Sequence, residues 1–170
     1  MSSKNLSYTL DLTGNTPSIR SILPLAIEKN AQDFLNPPIK NIGYKGILKT
    51  STEIVKWFKE SGHKKRNFTT TAMLMEKAGT GGALFRNLYR DFLFEAQEHI
   101  ASKLLFQAHQ SYTNIAASWK NVSILLNEAG ESEEIKHIYE ASKILVDLSN
   151  KEQEAMELLV NIRSITLIKC

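Results

Sequence analysis

The stretch Leu104–Leu126, LLFQAHQSYTNIAASWKNVSILL, decides the fold. Leu104, Leu105, Ala108, Tyr112, Ile115, Trp119, Val122 and Leu126 recur mostly three or four residues apart. That spacing gathers side chains on one face of an α-helix. Gly130 then reads as the residue just past the helix end, where a left-handed conformation is common. The pattern resumes over Ser132–Ile162 with Ile135, Ile138, Tyr139, Leu145, Leu148, Ala155, Met156 and Leu159. Two long helices joined by so short a turn predict an antiparallel hairpin.

Towards the N-terminus the same period persists in shorter pieces. Leu84, Phe85, Leu88, Tyr89, Phe92, Leu93 and Ala96 predict a helix that breaks near Glu98 to Ser102. Gly79-Thr80-Gly81-Gly82 interrupts the chain before it, and Thr69 to Thr71 read as the cap of a short helix carrying Met73, Leu74 and Lys77. His63, Lys64, Lys65 and Arg66 read as a basic loop after the Ser61-Gly62 stop. A helix over about Tyr44 to Glu60 turns Tyr44, Ile47, Leu48, Ile54, Val55 and Phe58 inward. The first helix follows Thr16-Pro17, read as a cap and a first-turn proline. It places Ile19, Ile22, Leu23, Ala26, Ile27, Ala31 and Phe34 on its apolar face and ends at Asn36-Pro37-Pro38. Pro24 kinks or restarts it, because a proline has no N–H to donate. In residues 1–15, Leu6, Tyr8, Leu10 and Leu12 alternate as in a strand, but one strand cannot bury itself. The expectation is therefore an extended segment or linker over 1–15 and an all-α bundle of five or six helices over 16–170.

Composition narrows the function. Of 170 residues, 42% are hydrophobic and 23% charged, which fits a globular domain rather than a disordered or membrane chain. No apolar run reaches the length of a membrane span, and Met-Ser-Ser-Lys-Asn leads into no secretory signal. Cys170 is the single cysteine, so no internal disulfide can form and a reducing cytoplasm fits. A net charge of +3 is too weak to imply nucleic acid.

The sequence carries no Gly-x-Ser-x-Gly elbow and no His-Glu-x-x-His helix. Cys170 is the one thiol, and a last residue is hard to hold in catalytic geometry. His63, His99, His109 and His137 show no metal-ligand spacing, and no cofactor motif is visible. The distinctive local feature is Gly79-Thr80-Gly81-Gly82. One reading is a tight interhelical turn with close backbone packing. The other is an anion pocket at the helix start, formed with Arg86 and Tyr89. A cation in the first turns of a helix opposes the macrodipole, so Arg86 calls for a negative partner. That partner is either a buried Asp or Glu, which the frequency of glycine turns favours, or a bound carboxylate or phosphate.

Charge is segregated. Lys40 to Arg66 holds eight Lys/Arg against two Glu, and Glu128 to Glu157 holds nine Asp/Glu against three Lys. Lys45, Lys49, Lys56 and Lys59 fall in one helical sector beside the apolar face. They read as a solvated stripe complemented by the acidic last helix, or as a docking surface for an acidic protein. Nucleic acid fits less well, because Trp57 is the one aromatic beside the stripe.

Two segments carry a family resemblance. The run GTGGALFRNLYRDFL over Gly79–Leu93 resembles the helical C-terminal domain of butirosin biosynthesis protein H-like proteins. So do Asn36-Pro37-Pro38, Gly43-Tyr44-Lys45-Gly46-Ile47 and Trp57 upstream. The likeness covers about residues 20–163, with Ala83 where the family pattern has another glycine. It implies an accessory domain without a catalytic centre. In that family a papain-like N-terminal domain supplies the catalytic cysteine and histidine, and the namesake moves an aminoacyl group from an acyl carrier protein to an aminoglycoside amine. The implied partners are a Cys/His catalytic domain or an acyl carrier protein. The chain would then be a fragment, one half of a split protein, or a stand-alone descendant, with Leu6 to Leu12 as a remnant strand. The reading of a different class is an interaction module that homodimerises or docks an acidic partner.

Overall fold

The computed structural model describes Thr9, Gly14, residues 16–78 and residues 81–163. The alternating Leu6, Tyr8, Leu10 and Leu12 and the single Cys170 lie outside the described residues. Six α-helices follow in order: α1 Ile19–Leu35, α2 Gly43–Glu60, α3 Lys64–Lys77, α4 Ala83–Ala96, α5 Lys103–Ser132 and α6 Ile135–Val160. No strand occurs among the described residues, so the chain is an all-α bundle.

The predicted hairpin is the spine. On α5 the buried residues Leu105, Ala108, Tyr112, Ile115, Trp119, Val122, Leu126 and Ala129 alternate steps of three and four. On α6, Ile138, Ala141, Leu145, Leu148, Glu152, Ala155 and Leu159 do the same. A seven-residue repeat keeps the two seams facing each other along their length. The remaining helices cover its flanks: α1 and α2 pack on α6, and α3 and α4 pack on α5. Small residues bring α2 close to α6. Ser142 and Ser149 of α6 donate to the backbone carbonyls of Ser51 and Tyr44, at 2.6 and 2.8 Å.

Several boundaries differ from the sequence reading, each for a local reason. Ser18 caps α1, its side chain accepting from the Ser21 N–H, so Thr16 is not the cap. Pro24 lies inside one continuous helix rather than restarting it, and is itself buried between exposed neighbours. Ile19 and Ile22 face solvent at 60% and 40% exposure, because α1 meets α6 through Ile27 and Ala31 instead. Lys64, Lys65 and Arg66 form the first turn of α3 rather than a loop. Thr69 and Thr71 lie within that helix and return their hydroxyls to the carbonyls of Lys65 and Asn67, both at 2.8 Å. Threonine can cap a helix or bond back along one, and the sequence does not separate the two.

Gly130 does not end α5 either. It is buried, and a Cβ there would stand 2.9 Å from Thr69 Cγ2 and 3.0 Å from its backbone nitrogen. The glycine lets α3 cross α5 closely, and Glu133, at φ 56°, takes the left-handed cap position.

Candidate functional site

The glycine turn places the site. Gly79 and Thr80 lie outside the described residues. Gly81 adopts φ 95°, a conformation that side chains resist, and Gly82 follows as the N-cap of α4. A Cβ on Gly82 would stand 2.7 Å from both Cβ and the carbonyl oxygen of Met75. The glycine therefore lets α4 start directly against the end of α3. Arg86, one turn into α4, is then carried to the hairpin spine.

Its negative partner is Glu152 of α6. Arg86 Nε and Nη2 donate to the two carboxylate oxygens at 2.9 and 3.0 Å. Trp119 of α5 donates its indole N–H to the same carboxylate. The guanidinium carbon also lies 4.5 Å from the Trp119 ring centroid. Glu152 is 1% exposed and Arg86 16%. Removing two charges from water costs several kcal/mol each unless the geometry compensates. Here a bidentate fork, a third donor and a cation–π contact act together. They outweigh the roughly 0.3–1 kcal/mol that the helix dipole charges a cation near its start.

Glu152 is the residue that sequence reasoning missed. Its signal was available: it occupies the inward row of α6, between Leu148 and Ala155. An acid in an apolar row needs a buried cation, and Arg86 needed a buried acid.

Arg86 borders two cavities, and Glu152 joins it at the smaller one. The larger is a groove of about 820 Å³ lined by Gly43, Gly46, Ile47, Trp57, Gly81, Arg86 and Trp119, among others. Trp57 is half exposed there. The smaller, about 430 Å³, is walled by Phe34, Phe85, Tyr89, Phe92 and Tyr112, with Arg86 and Glu152 at its edge. The Tyr89 and Tyr112 rings meet edge to face, centroids 4.7 Å apart. Burial pushes both phenols well above their usual range, and for Tyr112 the nearby Glu152 adds to the effect. The Tyr89 hydroxyl is fully buried with no hydrogen-bond partner. Of the glycine-turn residues and their neighbours, Gly81 and Arg86 share the groove, Tyr89 lines the smaller cavity, and Gly82 is buried.

The basic stripe lies elsewhere. Lys45, Lys49, Lys56 and Lys59 are all exposed. At 100° per residue they sit opposite the buried Ile47, Ser51, Ile54 and Phe58, not beside them. The sequence reading erred by counting Leu48 as inward, whereas it is 45% exposed. Lys49 donates to Asn41 Oδ1 at 3.0 Å, and Lys45 lies 5.5 Å from the Tyr44 ring centroid. None of the four makes an ion pair with a described residue. Instead, α6 spends its carboxylates locally, as in Asp147 with Lys151, or on Arg86.

Fold and site together define an all-α bundle built on a helical hairpin, with a buried ion pair between two cavities. No helix among the described residues is long and apolar enough to cross a membrane. The chain belongs to the family described as a domain of unknown function, DUF4872, which it matches over residues 1–159. No curated protein and no solved structure matches it.

Proposed function

We propose that this chain is a helical accessory domain that shapes or covers an active site built by a Cys/His domain, in acyl transfer from a carrier protein. One observation carries the reading. The two segments that resemble butirosin biosynthesis protein H-like proteins lie far apart in sequence, yet Gly43, Gly46, Ile47 and Trp57 from one and Gly81 and Arg86 from the other line a single groove. Residues of a shared pattern that meet at one open groove fit a role in presenting a surface to a substrate or a partner domain. Arg86 acts here as a structural post: Glu152 takes its charge, and its stem and guanidinium hold the groove wall.

The test is reconstitution. The purified chain is mixed with a Cys/His domain encoded beside it and with an acyl-loaded carrier protein. Transfer is expected to rise at least about tenfold when the chain is added, and Trp57→Ala is expected to remove most of that gain; each tenfold step is about 1.4 kcal/mol of barrier. A rate that is the same with and without the chain overturns the reading. A second reading, docking of an acidic partner, is favoured by the four exposed lysines that no described carboxylate neutralises. Binding of that kind weakens steeply with salt.

A further inference from the structure

The outer face of α2 and α6 carries a pattern that the groove and the ion pair leave unused. Ser142 and Ser149 donate to the carbonyls of Ser51 and Tyr44, so the two helices run antiparallel, with residue 142 level with 51 and 149 level with 44. At 100° per residue this places Leu48 and Val55 of α2 along an outer seam with Val146 and Tyr139 of α6. Leu48, Tyr139 and Val146 are 45%, 45% and 40% exposed, so the seam is an apolar band open to solvent. Charge of opposite sign flanks it. On the α2 side stand Lys45, Lys49, Lys56 and Lys59, exposed and in no ion pair with a described residue. On the α6 side Glu133, Glu140, Asp147 and Glu154 are exposed and recur every seven residues, which keeps them in one row. Asp147 is tied to Lys151, and the exposed Lys143 interrupts the row with the wrong sign.

Such a face complements itself. A two-fold axis lying in the face and parallel to the helices sets α2 of one copy against α6 of the other, and it keeps every level along the axis. Lys45 then falls within one residue of the level of Asp147 in the second copy, and Lys59 within one residue of Glu133. Lys49 and Lys56 fall on either side of Glu140, and the two apolar bands meet at the centre. An axis across the helices would instead set lysines against lysines, so charge selects the first arrangement. An unrelated acidic protein would satisfy the lysines alone; a second copy also covers the band and the acidic row. The face is long enough to hold such a dimer weakly. With 18 residues α2 is about 27 Å long, and a footprint two helices wide covers roughly 500 Å² on each copy. The total of about 1,000 Å² lies at the lower limit of specific interfaces. We propose that the chain forms a weak, salt-sensitive homodimer through this face, the lysines of each copy meeting the acidic row of the other. The proposal rests on the docking reading of the lysines and names the acidic partner as a second copy; the accessory-domain reading is independent of it.

Sedimentation equilibrium of the purified chain tests it. The expected dissociation constant is on the order of 10–100 μM at low salt, weakening at least about tenfold near 0.5 M. Lys45→Glu with Lys56→Glu should leave the chain monomeric, and so should Glu140→Lys with Asp147→Lys. An equimolar mixture of these two variants should associate again, within about threefold of the parent affinity, because each reversed surface meets the other. Lys143→Glu should tighten the parent dimer, since it removes the mismatched charge opposite Lys49. A parent that stays monomeric at every concentration overturns the proposal. So does a dimer that ignores both charge reversals, or a mixture that fails to associate. A poly-glutamate peptide separates this failure from that of the docking reading. A monomeric parent that binds the peptide in a salt-sensitive way overturns the dimer alone, and one that does neither overturns both.

Discussion

Arg86 and the lysines of α2 carry the same charge and put it to opposite uses. Arg86 reaches across to α6, where a carboxylate and an indole hold it in one geometry. Lys45, Lys49, Lys56 and Lys59 point away from the helix that α2 packs on and are exposed, none of them paired with a described carboxylate. The difference comes from where each residue falls on its helix and from side-chain chemistry. A planar guanidinium matches a carboxylate with two parallel hydrogen bonds and can stack on a ring, and it is weakly hydrated. An ammonium on a flexible stem keeps its water. The local excess of positive charge in the second helix therefore says little about what holds the fold together, and one arginine says much.

That comparison breaks or stands first on Arg86→Ala. Glu152 would be left as a 1% exposed carboxylate with its cationic partner gone and only the Trp119 indole still donating to it. Breaking a buried pair from one side costs about 3–5 kcal/mol. For a chain of this size that lowers the melting temperature by on the order of 10 °C. Urea denaturation measures it directly. The triple replacement Arg86→Met, Glu152→Leu and Trp119→Phe should recover most of the loss, because it leaves neither a buried charge nor an indole N–H without an acceptor. If Arg86→Ala costs less than about 1 kcal/mol, the pair behaves as a surface contact and the contrast with the lysines collapses.

The outcome bears on what a sequence can reveal. The spine was legible because α5 and α6 repeat apolar residues over seven or eight turns, and no single substitution in such a run hides the period. Caps and boundaries were not, because Thr69, Thr71 and Gly130 each have two local uses, and the choice rests on which helix passes nearby. The need of Arg86 for an anion was legible from its place near a helix start. The identity of that anion was not: it lies 66 positions along the chain, and only the packing of α4 and α6 across α5 brings it near. Glu152 stands out in the sequence only by its inward row, and the many other acids of the segment around it mask that exception. The cavities were illegible, since they are the spaces that helix crossings leave.

The tyrosines behind the ion pair sharpen the comparison through pH. Burial raises the Tyr89 and Tyr112 phenols above the usual 10.0. Below pH 10 both states keep the proton and stability is unaffected. As pH rises above 10 the unfolded chain releases these protons and the folded chain does not. The unfolded state then binds fewer protons, so stability falls with pH, by up to about 1.4 kcal/mol per unit for each ring. Lys65 and Lys136 titrate in the same alkaline range with the same sign, their hydrogen bonds to Glu131 and Glu134 holding them protonated. Both are exposed, so the buried rings should dominate. Urea midpoints at several values between about pH 9 and 11 should show the decline, and Tyr89→Phe should reduce its slope by roughly half. An unchanged slope in that variant would mean that Tyr89 ionises in the folded chain as freely as in the unfolded one.

The smallest effect is expected at the lysines, and its smallness is the point. Lys45→Glu with Lys56→Glu reverses two charges on a face that touches no other described charge within ion-pair distance. Surface substitutions of this kind change stability by no more than about 0.5 kcal/mol. The acidic residues of α6 act on the stripe only through the body of α2, beyond the short range at which ions pair. Any long-range attraction is therefore a field effect, screened over about 8 Å at physiological salt. The test compares the double variant with the parent at low salt and again near 0.5 M. A loss above about 1 kcal/mol at low salt that vanishes at high salt would show the stripe held by the field of α6. The two kinds of cation would then differ in degree rather than in kind. Equal stability at both salts leaves the lysines free of any duty to the fold and their charge available to whatever the surface of α2 meets.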